Sequence, residues 1–128
     1  MAETEKITIN MNVVDLGKVD LLIEQGFYSN RTDFIKTSIR NQLTTHSQVV
    51  DQVITQKHFI MGVSIYNRKT LEKLLNEKKS LSIKVVGMLV LSDDIEQELA
   101  LKTINSIKIF GVFKARVELK EALQSIIK

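Results

Sequence analysis

The sequence predicts an α+β chain, with a small N-terminal strand–helix–helix module followed by a C-terminal α/β module of two or three strand–helix repeats on a parallel sheet. Three patterns carry this reading. Polar and apolar residues alternate from Lys6 to Met11. Two capped, amphipathic helical stretches follow, punctuated by Gly26. An apolar segment beginning at Ser82 then recurs at Ser106, an offset of 24 residues.

Period-two alternation is the signature of a strand, with Ile7, Ile9 and Met11 on one face and Lys6, Thr8 and Asn10 on the other. Asn12 is placed to cap a helix, with Asp15 three residues on as its partner. Leu16, Val19, Leu22 and Ile23 recur at helical spacing and form one apolar face. Gly26 suits the left-handed stop after that helix. Ser29-Asn30, followed by Thr32 and Asp33, signals a second helix start, and Ile35, Ile39 and Leu43 mark its apolar side. A single six-residue strand is unstable alone in water. Its nearest partner is the same strand of a second chain, so this layout demands a homodimer.

Thr44 to Lys57 reads as a polar connection, either a third helix or an extension of the second. The expected organisation is a module over residues 1–46, a linker or helix over 47–57 and a repeat domain over 58–128. Within the last, Ser82-Ile83-Lys84-Val85-Val86-Gly87-Met88-Leu89 recurs as Ser106-Ile107-Lys108-Ile109-Phe110-Gly111-Val112-Phe113. Ile95 matches Leu119 and Leu99 matches Leu123. A looser third copy begins at Phe59-Ile60-Met61-Gly62-Val63, with Leu71 and Leu74 in its helix. Strands apolar on both faces that alternate with helices argue for a parallel sheet. A period near 24 falls in the leucine-rich-repeat range. Ile104, Ile107, Ile109 and Val112 match part of that consensus, but Val112 fills its Asn or Cys position. A compact three-unit α/β domain fits equally well. Gly87 and Gly111 are equivalent and suit close backbone approach between units.

Composition narrows the functions. The chain has 128 residues, a hydrophobic fraction of 44% and a charged fraction of 26%, as in folded soluble proteins. It has no cysteine, so no disulfide, zinc-thiolate site or thiol nucleophile. No signal-peptide core and no apolar run long enough to span a bilayer are present, so the expected location is the cytoplasm, with no membrane partner. No Ser-His-Asp, Cys-His or phosphate-loop pattern occurs, and the expectation is a non-enzyme without cofactor. His46 and His58 are the only histidines, too few and too isolated for a metal site. Asp93-Asp94 precedes a helix and reads as a cap rather than a catalytic pair.

The net charge of +3 is unevenly spread. Residues 1–46 hold five Lys/Arg against six Asp/Glu, a net −1; residues 47–80 hold six against three, +3; residues 81–128 hold seven against six, +1.

The strand from Lys6 to Met11, the capped helix ending at Gly26 and the segment Asn30-Arg31-Thr32-Asp33-Phe34-Ile35-Lys36 resemble the Arc/MetJ/CopG ribbon-helix-helix superfamily over the N-terminal third of the chain. The resemblance implies a swapped antiparallel β-ribbon formed by two copies that enters the major groove of double-stranded DNA. Carried over by position, Lys6, Thr8 and Asn10 would read bases. Lys6 can donate to guanine, Thr8 can bond either base type or touch a thymine methyl, and Asn10 can bond adenine in bidentate fashion. Ser29, Asn30, Arg31 and Thr32 at the second helix start would hold a phosphate, fixing register without reading sequence.

The expected function is a sequence-specific transcriptional regulator, a repressor, with the 58–128 domain adding assembly to tetramers or higher. One alternative is an assembly protein that the N-terminal module merely dimerises. Another is an antitoxin, ranked last because residues 58–128 are too well patterned for a disordered tail.

Overall fold

A computed structural model describes residues 3–128 as two compact units, one ending at Asp51 and the other Gln52–Lys128. The division falls within the stretch 47–57 read from the sequence as a linker or helix.

The first unit contains α1 (Val13–Glu24) and α2 (Arg31–Thr45), and α3 (Ser47–Gln56) begins within it. The predicted caps form. The Asn12 side-chain oxygen accepts from the N–H groups of Val14 at 2.8 Å and Asp15 at 3.3 Å. These satisfy N–H groups that a helix start would otherwise leave bare. Gly26 ends the α1 region with φ of +88°, a conformation that costs glycine little. A break at His46 makes α3 a separate helix. Among the described residues Lys6–Met11 has no backbone partner and forms no ladder. The expected ribbon pairs two copies, and among the described residues of one copy this segment finds no neighbouring strand.

The second unit alternates strand and helix: β1 (Ile60–Tyr66), α4 (Arg68–Asn76), β2 (Leu81–Leu91), α5 (Gln97–Thr103), β3 (Ile104–Lys114) and α6 (Val117–Ala122), with a closing 3-10 turn at Gln124–Ile126. The three strands are parallel and lie in chain order, β1-β2-β3. The sequence repeat is the register of this sheet. Ser82 lies beside Ser106, Ile83 beside Ile107 and Gly87 beside Gly111, each an offset of 24, and Gly62 lies beside Gly87. Ile83, Val85, Leu89 and Leu91 of β2 point to the core with Ile107 of β3. Leu71, Ile95 and Leu119, spaced 24 apart, close over that face and are all fully buried. Strand residues thus stack as columns, one from each repeat, 24 apart between β2 and β3 and 25 apart between β1 and β2.

Gly62, Gly87 and Gly111 all have φ between +123° and +138°. A Cβ on Gly87 would overlap the Gly62 carbonyl oxygen, and one on Gly111 would overlap that of Gly87. Strand alternation puts Ser82, Lys84, Val86, Met88 and Val90 on the opposite face, where Met88 is also buried.

The Asp93-Asp94 pair behaves differently from expectation. Asp94 accepts from the N–H of Arg68, at 3.2 Å, at the start of α4 rather than of the helix that follows it in sequence. Asn67 caps the same helix through Thr70. The turn after β2 therefore ties two neighbouring strand–helix repeats together, while α5 starts without a side-chain cap.

Candidate nucleic-acid interface

The start of α2 gathers four of the predicted residues: Ser29, Asn30, Arg31 and Thr32. Asn30 is extended, with φ −165°, and its side-chain oxygen accepts from the Asp33 N–H at 2.8 Å. The Asp33 carboxylate folds back and accepts from the Ser29 N–H at 2.9 Å. Its charge is thus engaged in the cap rather than aimed outward from the helix start. These bonds leave the N–H groups of Arg31 and Thr32 without a protein acceptor among the described residues. Two such groups at the positive end of a helix dipole are chemically suited to an anion.

Arg31 has a second role that the sequence reading missed. Its guanidinium forms a forked pair with Asp20 of α1, with Nε to Oδ1 at 2.9 Å and Nη2 to Oδ2 at 2.8 Å. The hydrogen bond and the positive charge hold the Asp20 carboxyl below its ordinary value, and the same pair raises Arg31. The pair clamps α1 to α2. Nothing in local spacing signals it, because the partners are eleven residues apart across a turn. Tyr28 and Phe34 meet edge to face at 4.9 Å nearby and fix the same turn.

Lys6, Thr8 and Asn10 are exposed, but so are Ile7 (74%) and Ile9 (61%). A single chain therefore does not sort the two faces of this segment. The same holds across the unit. Val13, Val14, Leu21, Phe27, Ile39 and Leu43 are exposed, and among the described residues of this unit only Val19 is buried. The predicted α1 face is covered, with Val19 buried and Leu16, Leu22 and Ile23 half-buried, whereas Ile39 and Leu43 of the predicted α2 face and the apolar residues Val13, Val14, Leu21 and Phe27 are uncovered.

Positive charge accumulates elsewhere. A cleft of about 410 Å³ in the second unit is lined by Lys57, Lys84, Lys108 and Lys128, together with Phe59 and Phe110. Lys84 Nζ donates to the Lys57 carbonyl at 3.2 Å, and Lys108 Nζ lies 5.1 Å from the centre of the Phe110 ring. None of these four lysines is in an ion pair among the described residues. The repeat carried a signal for this, since Lys84 and Lys108 are equivalent positions and lie side by side in the register. Among the described residues no helix is long and apolar enough to cross a membrane.

Comparison with known proteins places these features. No curated protein and no solved structure matches the chain. A family profile does match, over residues 2–120. A resemblance limited to the N-terminal third is thus too narrow, since the match takes in most of the repeat unit as well. On this match the chain belongs to the ribbon-helix-helix transcriptional regulator family.

Proposed function

We propose that this chain is a non-catalytic, sequence-specific DNA-binding repressor that acts as a homodimer. Residues 6–11 of two copies pair antiparallel, turning Ile7, Ile9 and Met11 inward over α1 and α2 and Lys6, Thr8 and Asn10 outward to the bases. The observation that carries this reading is the uncovered apolar surface of the first unit. One buried side chain cannot hold two helices together, and a second copy covers Ile7, Ile9, Val13, Leu21, Ile39 and Leu43 at once. At the α2 start, the Arg31 and Thr32 N–H groups, with the Ser29 and Thr32 hydroxyls, hold a backbone phosphate. Asn30 shapes the cap, and Arg31 braces it through Asp20.

The test is binding to a site selected from a random DNA pool. Thr8→Ala and Asn10→Ala should each relax base preference at one position by about 1–3 kcal/mol, the usual worth of a good base contact. Equal binding to all sequences before and after mutation refutes base reading.

A second reading, an assembly protein in which the N-terminal unit only dimerises, draws support from the net −1 of residues 1–46 and from the carboxylate on Arg31. Salt separates the two, because several phosphate contacts make affinity fall steeply between low and moderate salt. Under the DNA reading, assembly through residues 58–128 joins dimers on neighbouring half-sites and adds avidity.

A further inference from the structure

The two edges of the sheet are treated differently. Beyond β3, Ile127 forms a parallel bridge to Ile107, and the Lys128 N–H donates to the Ile107 carbonyl at 2.8 Å. Beyond β1, no described residue bonds to the backbone of Ile60–Ile65 except β2. Open edges are normally blunted by lysine, proline or inward-pointing charge. The strand Ile60-Met61-Gly62-Val63-Ser64-Ile65-Tyr66 has none of these.

Its side chains carry the same message. Ile60 is 54% exposed, Met61 63%, Val63 48% and Ile65 66%; in β2 the partners of Ile60 and Val63, Val85 and Met88, are 0% and 8% exposed, and those of Met61 and Ile65, Val86 and Val90, are half-buried. Leu75, on the helix that follows β1, is 40% exposed. In sequence, β1 is an interior rung placed at an end. Stacked repeats need a polar cap at each end or a partner, and this end has no cap.

We infer that β1 pairs antiparallel with β1 of a second copy, joining two three-stranded sheets into one of six strands. The sequence of the strand argues for a copy of itself as the occupant. Around a two-fold axis at Val63, Val63 meets Val63, Met61 meets Ile65, Gly62 meets Ser64 and Ile60 meets Tyr66. All seven residues pair, and every large apolar side chain faces another. No charge lies in the strand, so no like charges oppose each other. A two-fold interface requires this kind of self-complementarity. The inference rests on the assembly part of the proposed function and is independent of base reading. Copies already held by the N-terminal unit meet at high effective concentration, so the edge contact need not be strong alone.

The absence of cysteine allows a direct test in the full-length chain. Residues opposite one another in antiparallel strands have Cα atoms about 4.5–5.5 Å apart, inside the roughly 4.4–6.8 Å range of disulfides. Under mild oxidation Val63→Cys should cross-link copies at least tenfold faster than Lys73→Cys, an exposed control on α4. Met61→Cys and Ile65→Cys should each be slow alone and fast when the two chains are mixed and refolded together. Because Ile65 is already exposed in the monomer, Ile65→Lys should leave the fold intact and raise the dissociation constant of the assembly at least tenfold in sedimentation. Val63→Cys linking no faster than Lys73→Cys, or an assembly unchanged by Ile65→Lys, overturns the inference. Met61→Cys linking to itself as fast as the mixture overturns the register. A Thr8→Ala, Asn10→Ala chain should carry the Val63→Cys cross-link normally while losing base preference, so the two readings fail separately.

Discussion

Replacing Gly87 with alanine probes the stacked units at the point where they approach most closely. Gly62, Gly87 and Gly111 occupy one column, and each sits at positive φ. Alanine at any of them incurs backbone strain, on the order of 1–3 kcal/mol for a non-glycine residue in a sparsely populated region. At Gly62 that is the whole effect, since nothing lies within 4 Å of the added Cβ. At Gly87 the new methyl also runs into the Gly62 carbonyl, which is backbone held in the sheet and has nowhere to go. Overpacking of this kind adds about 1–3 kcal/mol, and more where the obstacle is rigid. Gly87→Ala should therefore cost roughly 3–5 kcal/mol, against about 1–3 for Gly62→Ala. With domain stabilities of about 5–15 kcal/mol, the first change removes much of the margin and the second does not. Hydrogen exchange in peptides covering residues 81–91, followed through a urea series, reports on this unit separately from the first. Equal losses for the two variants would show that the strands are not pressed together at the glycine column, and the stacking argument would fall.

Two further outcomes follow from the first unit. Asn30→Ala removes the acceptor for the Asp33 N–H and should cost about 1 kcal/mol of helix stability, seen as reduced protection of residues 31–36 and weaker DNA binding that is uniform across sequences. Arg31 holds the Asp20 carboxyl below its ordinary value of 3.8, so the pair supports folding above pH 3.8 and is lost as pH falls through the lower folded value. The Asp20 titration followed by NMR should lie below 3.8 and return towards it in Arg31→Ala. An unchanged midpoint would mean that the two side chains do not meet in solution.

The repeat domain was legible because its signal is redundant. The offset of 24 residues appears in the β2 and β3 sequences, in Leu71, Ile95 and Leu119, and in Gly87 and Gly111, and each repeats a single geometric fact, the lateral step from one strand to the next. The caps at Asn12 and Asn30 were legible because they are local, decided within three residues. Two features escaped for the opposite reason. Arg31 with Asp20, and Asp94 with the start of α4, join positions that only the folded chain brings together. No periodicity encodes such pairs. The Lys6–Met11 alternation reads as a strand, but the segment is no strand in the single chain, and the pairing proposed for it needs a second copy. The charge count over residues 1–46 was correct and yet said little about placement, since Asp20 and Asp33 are spent on Arg31 and on the α2 cap.

The near-absence of a core in the first unit has a consequence for how such a regulator would respond inside a cell. With Val19 alone buried among the described residues of this unit, a lone copy would have little to retain its shape without a twin. In the proposed dimer, folding of this unit and pairing of copies would become one event, and its stability would be inseparable from protomer concentration. Occupancy of an operator would then climb with roughly the square of the amount of protein made at low dose. Modest changes in synthesis or turnover would be converted into a sharper change in output, with no small-molecule signal required.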